Sequence, residues 1–196
     1  MKLKFRKIWE MALPNQDKRD DKGHAKTVSN FSIKLCKLEQ ANENIVVPAA
    51  ILHDIGWGRL SKENRFLPFS PKNTVKKEYV VRIKHQEEGV KMARKILAKA
   101  KYPPKFVKPI LEIISQHDTR QNFISKEEGI MRDADKLWRY SILGIKADMR
   151  RKNFPFLAIY KRLKVKINEH NFFYSQSARK IARMELAKRK KELFKS

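Results

Sequence analysis

Four of the five histidines in this 196-residue chain lie among apolar residues, where a titratable side chain needs a partner. His53 is the most informative, because His53 and Asp54 stand together in the apolar run from Ala49 to Ile55. Burying two adjacent titratable groups is costly unless each is paired or bound to a cation. An imidazole nitrogen and a carboxylate are common ligands of divalent metals. His53 and Asp54 are therefore candidates for a metal-binding and catalytic pair.

Further candidate ligands occur on other segments with apolar neighbours at helical spacing. These are His24, His85, His117 and Asp135. Taken singly, each histidine could be a hydrogen-bonded core residue or a cation at a helix C-terminus. Four histidines on separate apolar-faced helices, together with two carboxylates, favour a shared metal centre. His170 fits no such pattern and is expected to be structural.

The elements that must position these side chains are predicted to be helices. Alternating runs typical of strands are scarce, whereas apolar residues recur at intervals of three and four. The expected fold is therefore all-α, a compact helical bundle with a long loop over residues 57–77. Pro48 is expected near the first turn of the second helix. The predicted helices cover about 22–39, 45–55, 79–99, a segment starting at 103–104, 126–146, 154–165 and 175–196.

The charge of the chain indicates anionic partners. Lys and Arg number 46 against 21 Asp and Glu, so the formal net charge is +25. Such an excess attracts phosphates, nucleic acid or an acidic membrane surface, although solvated helix faces also account for it. The basic segment 175–196 is open to two interpretations: a docked helix with a solvated face, or an arm that binds nucleic acid.

Other features of the sequence limit the class of protein. The single cysteine, Cys36, excludes an internal disulfide and a cysteine-based zinc site. No apolar run approaches the roughly 20 residues of a membrane helix, and the basic start is not followed by a signal-peptide core. A cytoplasmic protein without membrane partners is expected. We expect one main domain over residues 1–150 and a basic helical extension over 151–196.

The order of the candidate ligands resembles a known signature. His24, then the pair His53-Asp54, then Asp135 is similar to the His…His-Asp…Asp pattern of the HD-domain metal-dependent phosphohydrolases. The resemblance extends over roughly residues 9–144, and its most specific parts are AAILHDIG at 49–56 and ADKL at 134–137. Asp133 competes with Asp135 for the last position. Asp135 is preferred because related sequences carry the ligand in an Ala-Asp pair before a basic residue and Leu.

The two middle histidines, His85 and His117, resemble those of the binuclear subset of this family. That resemblance implies a first metal site formed by His24, His53, Asp54 and Asp135. It implies a second site formed by Asp54, His85 and His117, with Asp54 bridging the two. One or two divalent ions are expected, and ligands of this type suit Mn, Fe, Co, Ni, Zn or Mg.

The resemblance implies hydrolysis of a phosphomonoester or phosphodiester, in a nucleotide or similar small anion, by metal-activated water. Basic residues close to the ligand segments in sequence could clamp the phosphate, or could be ordinary surface charge. These candidate substrate-binding residues are Arg19, Lys22, Arg120, Lys136 and Arg139. Asp20 and Asp21 could orient His24 or, as we expect, cap its helix.

Departures from the family pattern reduce the number of substrate classes that the resemblance implies. The Gly-Tyr-Pro extension of cyclic-dinucleotide phosphodiesterases does not follow His117, and Trp57 stands where a lysine is usual. The acidic pair of guanosine-tetraphosphate hydrolases is missing beyond Gly56, and Arg59 or Lys62 could contact a phosphate instead. Two alternative functions stay open. One is a binuclear-iron oxygenase similar to inositol oxygenase, and the other is a non-catalytic basic helical module that binds nucleotides or nucleic acid.

Overall fold

Residues 2–71 and 73–193, the part of the chain described by this computed structural model, form ten α-helices and three short 3-10 helices without a strand. The predicted all-α fold is confirmed. The 3-10 helices are Leu13–Asn15, Ile55–Arg59 and Leu67–Phe69. The α-helices are α1 (Leu3–Ala12), α2 (His24–Glu39), α3 (Glu43–Leu52), α4 (Lys62–Phe66), α5 (Val75–Lys99), α6 (Pro104–Gln116), α7 (Lys126–Trp138), α8 (Ile142–Lys152), α9 (Phe156–Lys166) and α10 (Gln176–Leu193).

Helix α3 lies at the centre of the bundle. Every residue from Val46 to Leu52 is buried, and the helix packs against α1, α2, α6 and α7. A helix that is apolar on all sides is stable in water only when other elements surround it. Because His53 and Asp54 directly follow α3, the fold carries these two polar residues into the interior.

Pro48 lies inside α3 and not in its first turn, because the helix begins at Glu43. A proline in this position removes the hydrogen bond to the carbonyl four residues earlier, which belongs to Asn44. The hydroxyl of Tyr102 replaces it, donating to the Asn44 carbonyl oxygen at 2.8 Å. The buried helix therefore accommodates its proline without leaving an unsatisfied carbonyl.

The start of α2 is held by Asp17. Its carboxylate accepts hydrogen bonds from the backbone N–H of Gly23 at 2.6 Å and from that of the second helical residue at 3.1 Å. The cap expected from Asp20 or Asp21 is therefore wrong, since neither side chain caps this helix. The turn around Gly23, whose φ is +88°, places His24 as the first residue of α2.

The helix predicted over 126–146 is in fact two helices, α7 and α8. The chain turns after Trp138, and the Ser141 side chain accepts a hydrogen bond from the N–H of Gly144 to start α8. A Cβ atom on Gly144 would lie 2.0 Å from the Trp138 carbonyl oxygen, so glycine permits this tight turn. Periodicity alone missed the break because apolar residues continue on both sides of it.

The segment predicted as a loop over 57–77 contains α4, the 3-10 helix Leu67–Phe69 and the end of the 3-10 helix Ile55–Arg59, and α5 already begins at Val75. Helix α1 was not predicted, although Phe5, Ile8 and Ala12 form its buried face. Residues 194–196 of the predicted last helix lie outside the described residues.

Helix α10 packs against α2, α7 and α9 through its apolar face. Ala178, Ile181, Ala182 and Leu186 are buried there, while most of its basic side chains face the solvent. The division of the chain at residue 150 stays a prediction. Within the described ranges, none of the helices is long and apolar enough to serve as a membrane span.

The 3-10 helix that follows Asp54 lies in close backbone contact with α5. This contact brings Asp54 close to His85. A Cβ atom on Gly56 would lie 1.9 Å from the His85 carbonyl oxygen and 2.5 Å from the Gly89 nitrogen. Only glycine permits this approach. Since Asp54 precedes Gly56 by two residues, the contact sets its distance from the His85 ring.

We expect Gly56→Ala to lower the free energy of unfolding by about 3 kcal/mol or more, because the added methyl group meets backbone atoms that cannot move aside. Urea denaturation of the purified variant measures the change. Gly58→Ala is the matched control, since the Cβ atom added there first meets the Asn15 side chain. Equal stability of the two variants would contradict the expectation.

Candidate metal centre

Six candidate ligands from five helical segments meet at one point in the interior. His24 begins α2, His85 lies in the middle of α5, and Asp135 lies in the last third of α7. His53 and His117 end α3 and α6, respectively. The four histidines are at most 6% exposed. The structure thus brings together every ligand that the sequence predicted.

Asp54 lies between two pairs of imidazoles. Its Oδ2 atom is 3.4 Å from Nε2 of His24 and 3.6 Å from Nε2 of His53. Its Oδ1 atom is 3.6 Å from Nε2 of His85 and 3.4 Å from Nε2 of His117. Each carboxylate oxygen therefore faces its own pair of histidines, as expected of a ligand that bridges two ions.

Asp135 completes the first group. Its Oδ1 atom is 3.4 Å from Nε2 of His24 and 3.5 Å from Nε2 of His53, and the two Nε2 atoms are 3.1 Å apart. Ligands bound to one ion at about 2.1 Å lie about 3.0–3.4 Å from each other in octahedral or tetrahedral geometry. The observed separations therefore fit a single cation at the centre of this group.

The ring orientation of two histidines leaves their Nε2 lone pairs facing the centre. Nδ1 of His53 donates to the Ala50 carbonyl at 2.9 Å, and Nδ1 of His117 donates to the Ile114 carbonyl at 2.9 Å. In the neutral form each Nε2 atom is then an acceptor. Acceptors facing carboxylate oxygens repel one another unless a proton or a cation lies among them.

The pKa values of the site show the same need for positive charge. Burial opposes the protonation of His53, but the carboxylates of Asp54 and Asp135 outweigh it and raise its pKa to about 9. Burial lowers the pKa of His85 to about 3, so this imidazole is neutral at pH 7. Burial also opposes ionisation of Asp54, yet Arg19 and His53 hold its pKa well below the usual value. At neutral pH the Asp54 carboxylate and the His85 imidazole are therefore in the form that binds a cation, whereas His53 carries a proton that a cation must displace.

Asp118 is a further candidate ligand that the sequence analysis missed. Its Oδ2 atom lies 3.6 Å from Nε2 of His85 and 3.9 Å from Nε2 of His117, and these two nitrogens are 3.4 Å apart. Asp118 thus gives the second group a terminal carboxylate, as Asp135 does for the first. The pair His117-Asp118 repeats the pair His53-Asp54, and this repetition could have identified it.

Two arginines contact the ligand carboxylates. Nη2 of Arg19 is 2.7 Å from Oδ2 of Asp54, and its guanidinium lies 4.3 Å from the Trp57 ring centre. Nη1 of Arg82, which the sequence analysis did not single out, is 2.6 Å from Oδ2 of Asp118. Trp57 also stacks on the His85 ring at 4.1 Å and donates to Oδ1 of Asp54. These contacts fix the orientation of the ligands.

A cleft of about 670 Å³ leads from the surface to the centre. Asp54, Asp118 and Asp135 lie at its base, and the segment from Asp148 to Arg162 contributes part of its wall. Its size is within the range of small-molecule sites. The basic residues that line it are Arg19, Arg82, Arg139, Arg151, Lys152 and Arg162.

Of the five predicted substrate-binding residues, Arg19 and Arg139 line the cleft. The other three do not. Lys22 is exposed elsewhere, Arg120 pairs with Glu112 and Glu128, and the Lys136 ammonium bonds to a carbonyl in the α9–α10 connection. The geometry gives these three no role as clamps. Arg59, Lys62 and His170 are also exposed and do not line the cleft.

Asp133 and Asp135 have different contacts, which distinguishes the two candidates for the last ligand. The Asp133 carboxylate is fully buried and accepts hydrogen bonds from the N–H groups of Tyr174 and Ser175 and from the Ser175 hydroxyl, each at 2.8 Å. Its oxygens thus tie α7 to the start of α10. Asp135, as preferred from the sequence, is the carboxylate that faces His24 and His53.

A family model of the HD domain matches residues 22–139, which is more than half of the chain. The chain belongs to the HD domain family. The matched region contains His24, His53, Asp54 and Asp135, the residues on which the sequence resemblance rests. Membership in the HD domain family supports a metal-dependent hydrolase in general terms.

The fold has a structural counterpart over nearly the whole chain. It is similar to the crystal structure of a predicted HD superfamily hydrolase from an uncultured Thermotogales bacterium, with a TM-score of 0.62 and 20% sequence identity. The similarity covers 97% of this chain and 89% of that chain. The search of curated proteins gave no match.

Substitution of the two neighbouring aspartates should separate stability from metal binding. We expect Asp133→Ala to lower the free energy of unfolding by about 2–4 kcal/mol, because it leaves buried donors without an acceptor, and to leave the metal content unchanged. We expect Asp135→Ala to reduce the metal content with a smaller change in stability. Urea denaturation measures the change in stability, and elemental analysis measures the metal content. If Asp133→Ala lost its metal while Asp135→Ala retained it, the assignment of Asp135 as the ligand would be contradicted.

The proton on His53 should make cation binding depend on pH. A divalent ion must displace this proton, so we expect the Mn²⁺ affinity to rise about tenfold per pH unit between roughly pH 6.5 and 8.5. Titration of ion-free protein with Mn²⁺, followed by electron paramagnetic resonance, measures the affinity at each pH. A constant affinity across this range would show that His53 carries no proton to displace.

Proposed function

We propose that this HD domain protein hydrolyses phosphomonoester or phosphodiester bonds in a small phosphorylated compound, using one or two divalent cations. The observation that carries the proposal is the position of Asp54, whose two oxygens face two separate pairs of buried imidazoles at the base of an open cleft. Family membership supports hydrolysis in general, and the basic residues of the cleft favour an anionic substrate.

The residues present fit a binuclear centre. His24, His53 and Asp135 would hold one ion, His85, His117 and Asp118 would hold the other, and Asp54 would bridge them. Divalent ions in such a site activate a water molecule and withdraw negative charge from the phosphate oxygens. The carboxylate and imidazole types do not select among Mn, Fe, Co, Ni, Zn and Mg.

Protein side chains would orient the substrate at this centre. Arg19 and Arg82 line the cleft next to the ligand carboxylates, so a phosphate entering the cleft meets a guanidinium at either half of the centre. Planar guanidinium groups bind phosphate oxygens in a bidentate manner and neutralise charge that develops during attack. Stacking on Trp57 holds Arg19 in place, which lowers the entropic cost of this contact.

Nucleic acid is a possible larger substrate or partner. Helix α10 exposes five basic side chains, those of Lys180, Arg183, Lys188, Lys190 and Lys191. A helix with this charge would bind polyanions in a salt-dependent manner. Nucleic-acid binding by α10 stays a prediction.

We expect protein reconstituted with Mn²⁺ or Fe²⁺ to release product from a panel of phosphomonoesters, phosphodiesters and nucleotides, measured under nitrogen. Asp54→Asn should lower kcat/KM by at least about a hundredfold, because it weakens both halves of the centre. His85→Ala should remove about half of the bound metal, determined by elemental analysis.

His170→Ala is the matched control, since this exposed imidazole lies outside the centre and should leave metal content and activity unchanged. Retention of full hydrolysis by Asp54→Asn would refute the proposed centre. If the reconstituted protein releases no product under nitrogen but consumes oxygen in a parallel assay in air, it belongs to the oxygenase class instead.

A further inference from the structure

The outer wall of the cleft carries an excess of positive charge around one carboxylate. Asp148 is buried and forms salt bridges with Arg151 and Lys152, both at 2.8 Å. Arg139 and Arg162 line the cleft beside this group, and both also line a small recess with Asp148 and Lys152. One carboxylate thus stands among four cations.

Arg139 and Arg162 differ from the other basic residues of the cleft. Arg19 and Arg82 pair with ligand carboxylates, and Arg151 pairs with Asp148. Within the described residues, the guanidinium groups of Arg139 and Arg162 form neither an ion pair nor a hydrogen bond, and both side chains are exposed. Arg139 acts on Asp148 only through its charge, which helps to lower the pKa of that carboxyl. The donor groups of both arginines are therefore available to an anionic ligand.

The charge of the whole lining agrees with a ligand that carries several negative charges. Six basic residues line the cleft, and six carboxylates balance them. One or two divalent cations at the base would make the lining positive by two to four charges. A single phosphate bound at the metal centre would leave the local excess around Asp148, four cations against one carboxylate, unneutralised.

We propose that Arg139 and Arg162 bind a second anionic group of the substrate, so that the protein selects compounds that carry two separate phosphate groups. The inference rests on the proposed function, which places the first phosphate at the metal centre. Arg139 is the last residue of the region matched by the HD domain model, whereas Arg162 lies in α9 beyond it, so the segment that follows the matched region supplies one of the two arginines. Phe154, 47% exposed at the same wall, offers apolar surface to the organic part between the phosphates.

The test compares two nucleotides that differ by one phosphate group. Adenosine 3′,5′-bisphosphate and adenosine 5′-monophosphate are titrated into the Mn²⁺-loaded full chain by calorimetry, and the recovered nucleotide is analysed by chromatography. We expect the wild type to bind the bisphosphate about tenfold more tightly. Arg139→Ala and Arg162→Ala should each remove most of this preference, with much less effect on the monophosphate.

Lys161→Ala is the matched control, because Lys161 is an exposed cation on α9 next to Arg162 that does not line the cleft. It should retain the preference of the wild type. Thermal unfolding of the variants should be unchanged, since neither arginine forms an ion pair. A wild type without preference, or equal preference in Arg162→Ala and Lys161→Ala, would overturn the inference.

The two proposals fail in different ways. Preferential binding of the bisphosphate that depends on Arg139 and Arg162, without hydrolysis of any phosphate ester, supports the outer site and contradicts the proposed function. Hydrolysis without any such preference supports the proposed function and overturns the outer site.

Discussion

One partly buried carboxylate that faces four imidazole nitrogens is the constraint on which this structure depends. The oxygens of Asp54 and the lone pairs of the surrounding Nε2 atoms repel one another, so they can share so small a space only around a proton or a cation. In the protein described here, that charge comes from a proton on His53 and from the guanidinium of Arg19. A divalent cation supplies it more completely, since it binds several of these atoms at once.

The fold meets this constraint by placing ligands where helices begin, end or touch. His53 and His117 end their helices, so their Nδ1 atoms donate to backbone carbonyls three residues earlier and fix both rings. The apolar helix α3 delivers Asp54 to the centre of the bundle, and the glycine at position 56 lets it approach α5. Apolar packing therefore sets the positions of the ligands, while contacts with Arg19, Arg82 and Trp57 fix their orientation.

The ligands could be predicted from the sequence because polar residues in apolar segments are conspicuous, and because their order resembled a family pattern. Asp118 was missed because its importance depends on its distance from His85, which lies 33 positions earlier in the chain. The division between α7 and α8 was missed because both helices are periodic, and the turn depends on the contact of Gly144 with Trp138. Arg162 was not found because nothing in the spacing of α9 indicates that it faces a cleft. The features that could not be predicted from the sequence are therefore those that depend on contacts between residues distant in the chain.

The arginines that form ion pairs with the ligand carboxylates affect the order in which the protein folds and binds metal. In small zinc domains the chain stays unfolded until the ion arrives, because the ligands repel each other and little else holds them. Here Arg19 and Arg82 serve as built-in counter-ions to Asp54 and Asp118, and an extensive apolar core surrounds them. We therefore expect the chain to fold before it binds a divalent cation, so that the ions available in its surroundings would decide which metal it acquires.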